Sequence, residues 1–267
     1  MTRAWVAALL LVGCGDPVHD DAVSALGPEV NGVGPGPMHR PGQPCLVCHG
    51  GQGPGHPDFA LGGTVFDGVS SSTPVPNARV RVVGADSRVL ELVTNCAGNF
   101  WIDASDFGLA FPAGAAVTTD HSARVMLTAM HRSGSCGDCH RGEASSASPG
   151  RLWVAPDRNG GSCTTDWAGA TLATVPACDG SRPSCGATPS YQAEVASILA
   201  ARCTACHSPD GEAKSKDFTT RNGILAEART AQTNVLKCQM PPPPLAPVVG
   251  AEREALLCWL ADGAPDN

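Results

Sequence analysis

The chain of 267 residues carries a net charge of −7 and a pI near 5.5, so it lacks the basic balance that neutralises phosphates, and nucleic acid is excluded as its main partner. Charged residues make up 16% and aromatic residues 4%, while glycine (31) and proline (23) together supply about a fifth of the chain. Side chains alone then build a thin core, and something besides apolar burial must help to hold the one or two globular units that this length suits.

In chain order, Met1-Thr-Arg-Ala-Trp-Val-Ala-Ala-Leu-Leu-Leu-Val-Gly-Cys14 sets one positive charge before an apolar stretch too short to cross a bilayer, which reads as an export signal over residues 1–13. Residues 14–37, rich in Gly, Pro and Asp, are expected to be a flexible, extended tether. Short β-type runs then recur at 64–66, 78–83, 89–94, 99–102, 116–119, 124–127 and 151–154, separated by turn residues, and predict an antiparallel β-sandwich within a unit spanning 38–155. In 78–82 arginines alternate with apolar residues, giving one wet and one buried face. Residues 156–188 read as a Cys-containing linker, and 189–267 as a small all-α unit with helices over 191–202, 222–229 and 251–261.

Six of the 13 cysteines fall in three C-x-x-C-H frames: Cys45-Leu-Val-Cys48-His49, Cys136-Gly-Asp-Cys139-His140 and Cys203-Thr-Ala-Cys206-His207. Two thiols one helical turn apart can add to the two vinyl groups of one porphyrin, and the adjoining imidazole reaches the iron. A thioredoxin-like pair needs βαβ surroundings, and a zinc ribbon pairs its frames over shorter gaps with no obligatory His. Three repeats predict three covalently attached haem c groups on Cys45, Cys48, Cys136, Cys139, Cys203 and Cys206, with His49, His140 and His207 as proximal iron ligands. The porphyrins also supply apolar surface that the side chains lack. As distal ligands, His39 is expected for the first frame, with His56 and Met38 as alternatives. His131 is expected for the second, with His121, Met126 and Met130 as alternatives.

Setting aside Cys14 and the frames leaves Cys96, Cys163, Cys178, Cys185, Cys238 and Cys258, an even number that suits an oxidising compartment. A Cys238–Cys258 bridge is expected, because it would tie the segment carrying Met240-Pro241 to the last helix. At least one of Cys163, Cys178 and Cys185 is expected to bridge inside the connector, and the partner of Cys96 is left open.

Three resemblances bear on these readings. Leu11-Val12-Gly13-Cys14 resembles the lipobox of bacterial lipoproteins, which implies diacylation of Cys14 and an anchor in the bacterial cell envelope, at the outer membrane facing the periplasm or cell surface. The run Gly63-Thr-Val-Phe66, Val75-Pro-Asn-Ala-Arg-Val-Arg-Val82 and Thr94-Asn-Cys-Ala-Gly-Asn-Phe100 resembles the carboxypeptidase regulatory-like (transthyretin-like) β-sandwich over about 60–130, implying a structural module with no catalytic residues of its own. Here two haem frames bracket it, which could bring both cofactors together. Residues 188–267 resemble a small class I cytochrome c domain: a helix leading into Cys203, Cys206 and His207, a Met240-Pro241 step, and Trp259 in the closing helix. The resemblance implies Met240 as the sixth ligand of the third iron. A thioether raises the potential relative to His/His ligation, so electrons would run from the first two haems to the third.

The expected fold class is therefore mixed and multi-domain, an antiparallel β-sandwich with two haem sites followed by an all-α cytochrome c domain. The expected function is a lipid-anchored tri-haem cytochrome relaying single electrons outside the cytoplasm. Its partners are redox protein donors and acceptors, and the membrane through the N-terminal lipid. A haem-dependent reductase or peroxidase with an open iron, and a binding or sensory lipoprotein using the sandwich, are the alternatives. No G-x-S-x-G elbow occurs to support Ser hydrolysis.

Overall fold

Asp16 accepts hydrogen bonds from the N–H groups of Val18 (3.0 Å) and His19 (3.3 Å), and Pro17 sits at the first helical position. These two start signals fold Pro17–Ala25 as helix α1, so the segment expected to be an extended tether is partly helical. The computed structural model describes residues 16–29 and 32–267, and the signal segment and the lipidation candidate Cys14 lie outside them. Arg40 fastens the end of α1: its guanidinium donates to Leu26 O (3.4 Å) and Gly27 O (2.8 Å) and pairs with Glu29 (2.9 Å).

The five-residue helix α2 (Cys45–His49) precedes two antiparallel sheets. In the smaller, β1 (Phe59–Thr64) pairs with β4 (Asn99–Asp103). In the larger, β2 (Arg79–Val83), β3 (Arg88–Val93), β5 (Gly114–Thr118), β6 (Ala123–Val125) and β7 (Ala170–Thr174) lie in the order β6-β5-β2-β3-β7. Strand alternation works as the sequence predicts in β2, where Val80 and Val82 are buried and Arg79 is exposed. Leu61, Val80, Val82, Leu90, Leu92, Phe100 and Ile102 from both sheets share one core. The Thr94 hydroxyl donates to Val75 O (2.7 Å) and accepts from Ala78 N (2.9 Å), which explains the threonine of the 94–100 run. Its glycine, Gly98, has φ +71°, and a Cβ there would press on Val65 O and Pro74.

Three boundaries differ from the sequence reading. Val65 and Phe66 leave β1 to donate to Gly98 O and Leu152 O, both at 2.9 Å. Residues 151–154 contribute an isolated bridge, Trp153 to Phe66, and no strand. Residues 170–174, assigned to the linker, form β7 beside β3. The Cys96–Cys163 disulfide and the Trp167 Nε1 bond to Trp101 O (3.0 Å) draw this segment back onto the sheets.

Beyond it, a π-turn over Tyr191–Val195 runs into α3 (Ala196–Arg202), followed by α4 (Arg221–Ala226), α5 (Ala228–Leu236) and α6 (Gly250–Ala261). The helix expected over 222–229 breaks at Glu227, and a second one follows it. Trp259 is fully buried at the centre of this unit, stacks on Tyr191 and donates to Pro265 O at 2.9 Å. Val195, Leu199, Ile224, Leu256 and Leu257 pack with it.

The expected Cys238–Cys258 bridge is not formed: Cys238 pairs with Cys178 and Cys258 with Cys185. The reason is the path of the connector, which lies across the helices where Arg253, itself buried, donates to Ser181 O (2.6 Å) and Leu236 O (3.3 Å). Cys238, just past α5, and Cys258 in α6 each therefore meet a connector cysteine and not one another, and no bridge closes within the connector itself. Among the described residues no helix is long and apolar enough to cross a membrane.

Candidate functional site

All three frames share one feature that spacing alone does not disclose. Nδ1 of His49 lies 2.8 Å from Pro57 O, Nδ1 of His140 lies 3.0 Å from Gly150 O, and Nδ1 of His207 lies 3.1 Å from Lys216 O. A carbonyl can only accept, so in each ring Nδ1 carries the hydrogen and Nε2 keeps its lone pair for a metal. Burial lowers the pKa of His140 and of His207, which keeps both rings neutral.

The cysteines divide the same way. Cys45, Cys48, Cys136, Cys139, Cys203 and Cys206 are free, whereas the six described cysteines outside the frames are all in disulfides. Burial pushes the Cys45, Cys136 and Cys203 thiols up to about 12 and raises Cys206 as well. Such thiols stay protonated at neutral pH, unlike the depressed thiolates of disulfide exchange. Among the described residues, no group of three or more His, Cys, Asp or Glu side chains is arranged to hold a metal ion by itself. The donor set of each frame, two unpaired thiols and one imidazole with Nε2 free, is the set that covalent porphyrin attachment uses.

The first frame lies in α2 and opens on a cavity of about 470 Å³ lined by Cys45, Cys48, His49, His39, Phe59 and Trp101 among others. That volume falls within the range of cofactor pockets. His39 faces His49 with ring centroids 5.9 Å apart and planes 17° from parallel. That separation would leave room for a metal ion between the two rings, with His49 and His39 as its donors. Burial lowers the pKa of His39, favouring the neutral ring. Gly36 N–H donates to its Nδ1 at 3.0 Å, so the ring hydrogen of His39 rests on Nε2. To hold a metal through Nε2, His39 would need that hydrogen on Nδ1 instead, without the bond from Gly36. Two buried asparagines hold the segment: Asn99 Nδ2 donates to His39 O (3.0 Å) and Pro37 O (3.1 Å), and Asn95 Nδ2 donates to Pro37 O (2.8 Å).

The second frame begins with a 3-10 turn, Cys136–Asp138, set against β1 through a Gly62 to Ser135 bridge. It interlocks with the first. A Cβ at Gly62 would lie 3.0 Å from Cys45 Cβ, one at Gly63 would lie 2.8 Å from Cys136 Cβ, and one at Gly137 would lie 2.7 Å from Pro44 Cα. Two frames 91 residues apart in sequence thus meet over two consecutive glycines of β1. His131 is exposed on the loop before Cys136.

The third frame follows α3 directly, and the ring packed on His207 is that of Phe218, at 4.3 Å. Met240 is 38% exposed. The proline segment after it docks on the larger sheet, where Arg81 Nε donates to Pro244 O at 2.8 Å. The frame also reaches the sheet through Arg124 of β6, whose guanidinium lies 3.5 Å over the Trp153 ring and pairs with Glu212, and through the Arg158–Asp210 ion pair at 3.0 Å.

The structure thus brings His39 to His49 and the first frame to the second, and it leaves His131 and Met240 at exposed positions. Sequence reasoning missed Asn95, Asn99, Arg40 and the three carbonyl acceptors. The acceptors carry no side-chain signal, since backbone oxygens are common to all residues. Comparison with protein-family models, with characterised proteins and with solved structures finds no match to this chain.

Proposed function

We propose that the chain is a tri-haem c-type cytochrome, anchored by a lipid on Cys14, that relays single electrons outside the cytoplasm. The observation that carries this reading is the shared commitment of Nδ1 in His49, His140 and His207 to a backbone carbonyl, beside thiols left free when all other described cysteines are paired. Haem bound at the three frames would supply one-electron exchange between Fe(III) and Fe(II). The chain's part is to hold and exclude: Cys45, Cys48, Cys136, Cys139, Cys203 and Cys206 as thioether anchors, His49, His140 and His207 as proximal donors, and His39, aligned by Asn99, as the distal donor of the first site. The transthyretin-like β-sandwich over about 60–130 and the cytochrome c domain over 188–267 belong to this proposal. So do the redox protein partners and an outer-membrane location facing the periplasm or surface.

A second reading concerns the other two sites. His131 and Met240 sit exposed, which favours a sixth position open to small ligands there and supports a haem-dependent reductase or peroxidase. Addition of cyanide to the oxidised protein separates the two: a relay with closed sites keeps its spectrum, and an open site shifts.

The relay itself is tested by expression in a host competent for c-type maturation, with pyridine haemochrome quantitation and intact mass. Three covalent haems per chain are expected. A colourless product, with a mass matching six free thiols, overturns the proposal.

A further inference from the structure

We propose that Phe59 and Phe218 are positioning residues for the iron-binding imidazoles, within one local cradle that the chain uses twice. The inference rests on the haem reading of the frames and adds to it the residues that fix the plane of two of the three rings.

Counted from the histidine, the fourth residue is glycine in both segments, Gly53 and Gly211, and a Cβ at either would collide with the carbonyl oxygen of the second frame cysteine, Cys48 or Cys206. The sixth residue donates its N–H to that same carbonyl: Gly55 N to Cys48 O at 2.9 Å, and Ala213 N to Cys206 O at 2.9 Å. The chain then turns to present a carbonyl to Nδ1, Pro57 O at 2.8 Å and Lys216 O at 3.1 Å. Two residues beyond that carbonyl, after an aspartate, comes the aromatic ring: Asp58-Phe59 and Asp217-Phe218. Phe59 lies on His49 at 4.1 Å with planes 2° apart, and Phe218 lies on His207 at 4.3 Å and 18°. The third cradle is one residue longer between histidine and acceptor, and its ring still stacks at a similar distance with a larger tilt.

An imidazole bound through Nε2 can still rotate about the metal–nitrogen axis. The Nδ1–H bond restrains that rotation from one edge, and a parallel ring restrains it from one face, so together they set the plane. His140 has the carbonyl bond, to Gly150, ten residues on, and among the described residues no aromatic ring stacks on it. Two proximal rings are therefore held from edge and face, and one from its edge.

The test uses the mature holoprotein and the variants Phe59→Leu and Phe218→Leu, read by electron paramagnetic resonance and by spectroelectrochemical titration. Each variant is expected to retain three haems, to broaden and shift the signal of one, with its potential, and to leave the other two alone; Tyr at the same position restores it. Three-haem Leu variants with every signal unmoved overturn the positioning role while leaving the haem reading intact. A colourless wild-type protein overturns both. Should a Leu variant fail to accumulate, nuclear Overhauser contacts in the reduced wild-type protein decide. Cross-peaks between His49 and Phe59 and between His207 and Phe218 are expected, and their absence overturns the role.

Discussion

The first and third frames hold their histidines with the same hydrogen bonds and the same stacked ring, on supports that have nothing else in common. Phe59 opens a β-strand that shares the core of two sheets, whereas Phe218 lies in a loop between short helices. The second frame is bound tightly to the first through Gly62, Gly63 and Gly137, yet it lacks the ring. Local chemistry around a C-x-x-C-H frame is thus set within about a dozen residues of chain. The distances between frames and any distal donor come from tertiary contacts such as the Asn99 clamp on His39.

The largest effects should follow from removing the attachment thiols of one frame. On the proposed haem reading, replacing Cys203 and Cys206 by serine should reduce the haem count from three to two and leave the spectra of the remaining pair unchanged, because the loop after the third frame meets the sheet region through the Arg124–Glu212 and Arg158–Asp210 ion pairs at its edge. The same replacement at Cys45 and Cys48 should also leave two, but with the spectrum of the second group shifted, since Cys136 and Cys45 pack against neighbouring glycines. Intact mass and difference spectra check both, and a second-group signal that is the same in the two double variants would show that the interlock has no electronic consequence.

Next in size are the cross-links. Opening the Cys185–Cys258 bridge, which closes a separation of 73 residues, with serine at both positions should cost about 4 kcal/mol by the loop-entropy estimate. The loss should be confined to the helical unit: urea unfolding should show Tyr191 and Trp259 melting first, with the sheets following at an unchanged midpoint. A single transition for the whole chain would show instead that the two halves unfold as one.

What could be seen beforehand follows the same division between local and distant. The strands of 78–102 were legible because alternation of Arg and Val fixes a buried face, and the frames because thioether chemistry fixes their spacing. Helix α1 was missed in a Gly/Pro-rich stretch where the Asp16-Pro17 start signal outweighs composition. β7 was missed because its pairing depends on a strand some 80 residues earlier and on a disulfide whose partner the sequence leaves open. The Cys238 and Cys258 partners went wrong for a related reason: proximity to a common helix pair says nothing about the connector lying between them. The repeated Asp-Phe step after the first and third frames was visible in the sequence, offset by one residue, and a search that allowed that insertion would have found Phe59 and Phe218.

The glycines test how far the two cradles are alike. Gly53→Ala and Gly211→Ala each place a Cβ on the carbonyl oxygen that accepts the next turn's N–H. Overpacking against backbone, which cannot rotate away, should cost about 1–3 kcal/mol at both sites. Unequal losses, measured by thermal unfolding of the two variants, would mean that the supports and not the cradle set the energetics. Gly142→Ala, with open space around its Cβ position but φ +47°, should cost only its backbone strain and serves as the reference.

The smallest effects should separate the rim contacts of the third frame. Arg158 and Asp210 are both well exposed, at 57% and 71%, so Arg158→Ala should change stability by less than about 1 kcal/mol. Arg124 is half-buried, lies on the Trp153 ring and pairs with Glu212. Losing a cation–π contact of about 0.5–1 kcal/mol together with the ion pair should make Arg124→Ala cost about 1–2 kcal/mol. The sharper readout is amide hydrogen exchange at Gly211 and Ala213, whose N–H groups bond to Ser208 O and Cys206 O inside the loop that Arg124 pins. If the third cradle stands by its own hydrogen bonds, as its likeness to the first requires, exchange at Ala213 should stay slow in Arg124→Ala while Gly211, nearer the rim, speeds up. Faster exchange at both would mean that the third cradle borrows its order from the sheet, and the equivalence of the two frames would hold only in the docked molecule.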